Sequence, residues 1–315
     1  GPIPDEPSEA ARAEAQRWLD QSLGRSVPLK PHVDGYIDAL QNVPKTKSMR
    51  RTTIVRFLER HPLSDSVTRR SVQSWVDELA ANGTAARTLG RMLTDIRGFW
   101  SWAIDQELVP AEPDPFARVK IPRDARRPKR EAWTAEEVVA LHKAALERGE
   151  RTIADFIAIG AYTGMRIEEI AQLRAADTDE TRFLIRGGKT EGAARRVPVH
   201  PHLRPLVRRL LAEANGSEHL FPDLTVNKYG HRSAHIGKKF GKLKTALEYP
   251  SSLCFHSLRK CASGQLHDAG VPEQIAAPAL GHKIKTLSYG LYSEGPRLET
   301  LAEAIGHLDY PGLEP

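Results

Sequence analysis

The sequence predicts a mainly α-helical protein with one small antiparallel sheet: an all-α first domain and an α+β second domain, joined by a basic linker. Three observations carry that expectation. Apolar residues recur at steps of three and four in four successive stretches between residues 27 and 116, and again from residue 134 onward, the period of amphipathic helices. One stretch, TRFLIRGGKTEGAARRVPVH at residues 181–200, alternates apolar and β-branched residues on both sides of a Gly/Lys/Thr turn, the mark of a hairpin. Between the two helical regions, FARVKIPRDARRPKR at residues 116–130 gathers seven Lys and Arg with one Asp and two Pro, a composition that excludes helix and extends the chain.

Taken in order, residues 1–26 are acidic and Ala-rich and offer one short helix capped by Ser8, with no function assigned to it. Residues 27–116 hold the helical patterns LKPHVDGYIDALQN, SMRRTTIVRFLERH, VTRRSVQSWVDELAAN and TAARTLGRMLTDIRGFWSWAIDQ, separated by the turn signals HPLSDS and NGT. Residues 117–130 form the linker, and residues 131–315 the second domain. This domain opens with TAEEVVALHKAALERG, where Thr134 and Glu137 make a capping box, so a helix begins there. Helices follow in RTIADFIAIGAYTG and MRIEEIAQL, then the hairpin, then helices again from His202. A final helix over 296–308 would place Leu298, Leu301, Ala302, Ile305 and Leu308 on one stripe.

A chain of 315 residues can bury cores for two domains without disulfides or metal. Its 46 Lys and Arg against 40 Asp and Glu leave a net charge of +6, which points to a polyanionic partner. Cys254 and Cys261 have no zinc-ligand spacing, and neither do His256, His267 and His282; no carboxylates converge near the motifs below, so neither metal nor any other cofactor is expected. No membrane span and no secretory leader are legible, and the cysteine usage suits a reducing cytoplasm. A cytoplasmic, nucleoid-associated protein without membrane partners is therefore expected. The opening Gly1-Pro2 matches the scar of a cleaved tag, so the natural N-terminus is expected to be trimmed.

Four separated stretches line up, in order and spacing, with one family. AYTGMRIEEIAQL, RGGKTEGAARRVPV, FHSLRKCASGQLHDAGV and LGHKIKTLSYGLYS resemble the conserved boxes of the tyrosine recombinases, the phage-type integrases, over about residues 131–295. The four-helix region before them is similar to that family's core-binding domain. The resemblance implies a C-shaped clamp around double-stranded DNA. It also implies strand cutting and rejoining through a covalent 3′-phosphotyrosine, with no ATP, because the phosphotyrosine bond stores the energy of the cut strand.

The chemistry explains the residue types. A pentavalent phosphorus carries extra negative charge, and arginine meets it with a planar fork that stays cationic at any working pH. By resemblance, Arg166 of TGMR and Arg259 of HSLR clamp the phosphate, and Glu169 orients an arginine or a proton network. His256 lies three residues before Arg259, hence on the same helical face, and bonds the phosphate or handles a proton. Lys189 in the hairpin turn matches the lysine that protonates the leaving oxygen, and His282 matches the second His/Trp position. Tyr289 and Tyr292 share a helix face, so position alone does not separate them. The family pattern behind SYGLY makes Tyr289 a packing aromatic and Tyr292 the nucleophile, with Gly295 and Pro296 ending the short element that carries it.

For DNA contacts, Arg50 and Arg51 in the second helix and Arg87 and Arg91 in the fourth are placed to reach phosphates or base edges. Arg123, Arg126, Arg127, Lys129 and Arg130 of the linker would track the backbone in a salt-sensitive, sequence-blind way. The resemblance further implies a homotetramer on paired sites, with accessory DNA-bending proteins as further partners. It leaves the final helix two destinations, its own domain or a neighbouring protomer. Integration or excision of a mobile element is the expected role. Three readings stand beside it: an Xer-like dimer resolvase, a type IB topoisomerase, and a catalytically inactive DNA-binding relative.

Overall fold

The computed structural model describes residues 26–122, 130–186, 195–281 and 295–315, together with Ala15 and Leu19. The chain divides into two compact units, Gly1–Arg127 and Pro128–Pro315, each with its own apolar core.

In the first unit a 3-10 turn at Lys30–His32 leads into α1, Val33–Ala39, followed by α2, Pro44–Leu58, α3, Arg69–Ala81, and α4, Ala86–Asp105. Pro44 opens α2, where its missing N–H costs nothing. Thr68 caps α3 through a reciprocal exchange with Ser71. The apolar stripes meet in a core that includes Ile54, Phe57, Val72, Trp75, Leu89, Ile96 and Phe99, with Phe57 edge-on to Trp75 at 5.3 Å. Residues 117–122 of the basic segment lie on this unit: Val119 and Ile121 pack on its core. Gln73 brackets Lys120, donating to its carbonyl at 2.9 Å and accepting from its N–H at 2.8 Å. Prolines and like charges exclude helix here, but alternate apolar residues still find a surface. Ser8 and the short N-terminal helix, and Arg123, Arg126, Arg127 and Lys129 of the linker, lie outside the described residues.

The second unit contains α5, Ala135–Glu147, α6, Arg151–Thr163, and α7, Ile167–Ala171. The hairpin is β1, Arg182–Ile185, with β2, Arg195–Pro198. Then come α8, Arg204–Ala214, α9, Ala234–Ala246, α10, His256–Asp268, α11, Glu273–Leu280, and α12, Leu298–Ile305. The capping box of Thr134 and Glu137 starts α5. Helix α6 is buried from Ile153 to Thr163 and forms the spine of the unit. The strands pair antiparallel with Phe183 opposite Val197 and Ile185 opposite Arg195. The C-terminal segment packs into its own unit: Leu301, Ile305, Leu308, Tyr310 and Leu313 all join the core. Ala302, expected on the buried stripe, is exposed, and Leu298 is only half-buried. The inward arc is instead Leu301, Ala304 and Ile305, which suits 3.6 residues per turn better than a run including position 302.

A polar cluster lies at the edge of this core. The Tyr162 hydroxyl lies 3.0 Å from Nδ1 of His202, the His200 ring stacks on Tyr162 at 4.4 Å, and Tyr310 stands edge-on to Tyr162 at 5.1 Å while its hydroxyl donates to the Ala161 carbonyl at 3.2 Å. Burial, with the neighbouring His202, pushes His200 down to about 4, and burial pushes Tyr162 up to about 12. A histidine whose folded pKa is depressed is protonated first in the unfolded chain, so stability is whole above the unfolded value and falls as the pH drops from 6.5 to about 4. Denaturant unfolding at pH 7, 5.5 and 4 should show a loss of at most about 3 kcal/mol over that window. His200→Gln should flatten it, and an equal slope in that variant would assign the loss elsewhere.

Candidate active site

Helix α6 stops at Gly164, whose φ of +62° is natural only for glycine, and a Cβ there would lie 2.4 Å from Leu280. The chain then passes through buried Met165 to Arg166, the extended N-cap of α7. Arg166 and Glu169 close on each other: the Arg166 N–H donates to Oε2 at 2.8 Å and its Nη1 to Oε1 at 2.7 Å. A third residue enters from β2. Arg195 grips the same carboxylate with both terminal nitrogens, Nη1 to Oε1 at 3.0 Å and Nη2 to Oε2 at 2.8 Å. Glu169 is held down to about 2: burial opposes its ionisation, and Arg195 and Arg166 more than offset that by hydrogen bonds and charge.

Arg259 comes from the first turns of α10, is 2% exposed, and donates from Nη1 to the Gly164 carbonyl at 3.1 Å. Burial first, and then the charges of Arg166 and Arg195, lower it to about 10, while Glu169 acts the other way. It therefore remains cationic at neutral pH. The carbonyl of Gly281, the left-handed residue that ends α11, accepts from Arg166 Nη2 at 3.4 Å. A Cβ on Gly281 would stand 2.3 Å from Arg195 Cζ. The turns that end α6 and α11 are thus glycine because arginines and core side chains occupy the space a side chain would need.

His256 is the exposed first residue of α10. Its pKa is lowered by the partial desolvation of its ring and then by the charges of Arg259, Arg166, Arg130 and Lys260, so the imidazole is neutral at pH 7 and available to accept a proton. Arg130, assigned from sequence to the linker, belongs to this neighbourhood: its Nη1 lies 2.5 Å from Cys254 Sγ, and its carbonyl accepts from Lys260 Nζ at 2.6 Å. The structure thus brings Arg166, Glu169, Arg259 and His256 together from two distant boxes. Lys189, His282, Tyr289 and Tyr292 lie outside the described residues.

The four arginines singled out in the first unit separate into different settings. Arg50 and Arg91 share one buried carboxylate, Asp95: Arg91 Nη1 donates to Oδ2 at 2.5 Å, and Arg50 Nε lies 3.5 Å from Oδ1. Burial pushes Asp95 up and the two arginines pull it back. Arg51 instead pairs with Asp34 at the surface, at 2.8 Å, and Arg87 is exposed.

Sequence reasoning missed Arg195. A signal for it existed, because Arg195 shares a strand face with Val197, which is fully buried. A charged residue on the inward face of a strand requires a partner there.

The fold matches the lambda integrase tetramer bound to a Holliday junction with a TM-score of 0.67 at 18% identity, over 90% of this chain and 84% of that one. It matches the Tn1549 transposon integrase in complex with transposon right end DNA with a TM-score of 0.64 at 19% identity, over 88% and 98%. Among curated relatives, tyrosine recombinase XerC of Mycobacterium sp. (strain KMS) is 27% identical over 241 residues, 71% of this chain and 78% of the relative. The family profile described as "Phage integrase family" matches residues 131–293, and "Phage integrase, N-terminal SAM-like domain" matches residues 34–107. The chain belongs to the phage integrase family, the tyrosine recombinases, which cleave and rejoin DNA. Among the described residues no helix is long and apolar enough to cross a membrane.

Proposed function

We propose that this chain is the site-specific recombinase of a mobile element, cutting and rejoining DNA at paired sites during integration or excision. The observation that carries the strand-cleaving part of this reading is the gathering of Arg166 and Arg259 around Glu169, two guanidiniums from separate boxes brought to one place. In the proposed step the Tyr292 oxygen bonds to the phosphorus as the bond to the 5′-oxygen breaks. The phenolic proton passes to neutral His256, Lys189 protonates the departing oxygen, and the two arginines, with His282, meet the charge on the non-bridging oxygens. No cofactor enters the balance. Reversal on a partner strand completes the exchange.

Arg50 and Arg91, aimed by buried Asp95, provide a two-point phosphate contact in the first unit, with Arg51 and Arg87 as further contacts and Arg126, Arg127, Lys129 and Arg130 along the DNA backbone. The lambda integrase tetramer on a Holliday junction supports a tetramer on paired sites. A second reading, a resolvase of the Xer kind, is favoured by the XerC relative.

The test uses a nicked duplex built on sequence that the protein itself selects from a randomised pool. Covalent adduct is expected from wild type and from Tyr289→Phe and is expected to vanish in Tyr292→Phe. Adduct from the Tyr292→Phe protein would overturn the assignment. Mapping the selected site separates the two roles: the junction of a mobile element supports the first, and a single chromosomal site bordered by no element supports the second.

A further inference from the structure

The hairpin's second strand contributes a residue to the arginine cluster that none of the assignments above uses. We propose that Arg195 is the positioning residue of the phosphate clamp, fixing the Glu169 carboxylate in the one orientation that aims Arg166 at the reacting phosphate. The inference rests on the proposed strand-cleaving function and deepens it.

Glu169 has two oxygens and four donors. Each oxygen takes one bond from Arg166, through its N–H or its Nη1, and one from Arg195, through Nη1 or Nη2. A carboxylate gripped by Arg166 alone could rotate about its terminal torsion, which is a broad two-fold well, and carry the Arg166 fork with it. The bidentate grip of Arg195 removes that freedom, since two parallel N–H donors match the carboxylate plane only one way. Arg195 can serve in this manner because it is itself enclosed. Its side chain is 17% exposed, as is that of Glu169. Backbone pairing holds it opposite Ile185, and its guanidinium lies against Gly281, in the space a Cβ there would occupy. Arg166 is different: its side chain is 46% exposed and so remains accessible to a ligand.

The arrangement also links three boxes mechanically. Arg195 opens the strand that follows Lys189 in sequence, Glu169 follows Arg166, and Gly281 immediately precedes His282. A displacement of Arg195 would therefore reach the Arg166 fork through Glu169 and the Gly281 turn through direct contact. A lysine in its place would keep the charge and lose the fork.

The experiment measures single-turnover cleavage of the nicked selected duplex, with DNA affinity measured in parallel, for Arg195→Ala, Arg195→Lys, Glu169→Gln and the Arg195→Ala/Glu169→Gln double variant. Arg195→Ala is expected to slow cleavage about 10- to 100-fold while DNA affinity changes less than about threefold. Arg195→Lys should recover little of the rate, and the double variant should be no slower than the slower single one, because both act through one carboxylate. Arg195→Lys retains charge and bulk, so it reports even where Arg195→Ala does not fold. Wild-type cleavage by Arg195→Ala, full rescue by lysine, multiplied losses in the double variant, or a loss confined to DNA affinity would each overturn the proposal. Failure of the underlying function looks different, because the wild-type protein would then form no adduct at all.

Discussion

Arg259→Ala is expected to slow single-turnover strand cleavage by about 100- to 1000-fold, with DNA affinity far less affected. That is the range for removing one preorganised donor from a developing oxyanion, about 2.7 to 4 kcal/mol of transition-state stabilisation. Arg259 suits the assignment because it is positioned before any substrate arrives, by burial and by its bond to the Gly164 carbonyl. Lysine is the informative replacement. The burial and neighbouring charges that bring Arg259 down to about 10 would lower a lysine too, from an ordinary value already below that of arginine. A lysine variant should therefore keep part of its activity at pH 7 and lose it at a lower pH than wild type does. A pH–rate profile of Arg259→Lys parallel to wild type over pH 7 to 9 would show that the cation at this position does not govern the rate.

The second large effect concerns the carboxyl end. Deleting residues 296–315 is expected to unfold the second unit rather than merely to weaken assembly. Leu301, Ile305, Leu308, Tyr310 and Leu313 are each at most 6% exposed. At about 1.5 to 3 kcal/mol for each large apolar side chain returned to water, their loss approaches the whole stability of a typical domain, about 5 to 15 kcal/mol. The deletion also removes the reciprocal bonds between Gln265 and the Asp309 backbone and takes the Tyr310 ring away from Tyr162. Circular dichroism and limited proteolysis should show a melted second unit. A deleted protein with a near-normal melting temperature would mean that the segment is dispensable to its own core.

Much of this was legible in the sequence, and the gaps have physical causes. Helices α3, α4 and α5 declare themselves by apolar spacing, and α5 by its cap, because those signals are local: Thr134 with Glu137 needs nothing from the rest of the chain. Arg166 and Arg259 could be singled out as candidates because each sits in a box with several recognisable neighbours. Arg195 escaped because its meaning depends on hairpin register and on a carboxylate supplied by another element. Asp95 escaped for a related reason. It lies within the buried stripe of α4, between Met92 and Phe99, and only the arrival of Arg50 from α2 shows that one carboxylate serves two arginines. Ala302 was misplaced because alanine is compatible with either face, so only the larger neighbours Leu301 and Ile305 settle the rotation of α12.

Trp133 has a practical consequence. The other four tryptophans, Trp18, Trp75, Trp100 and Trp102, all precede residue 128, so the second unit contains a single indole. Its N–H donates at 2.9 Å to the carbonyl of Cys254, two residues before His256, and its ring stands against Tyr249 and Phe240. With the other four replaced by phenylalanine, fluorescence from this lone indole becomes a built-in optical reporter on the start of the helix that carries His256 and Arg259, readable in stopped flow without any attached dye.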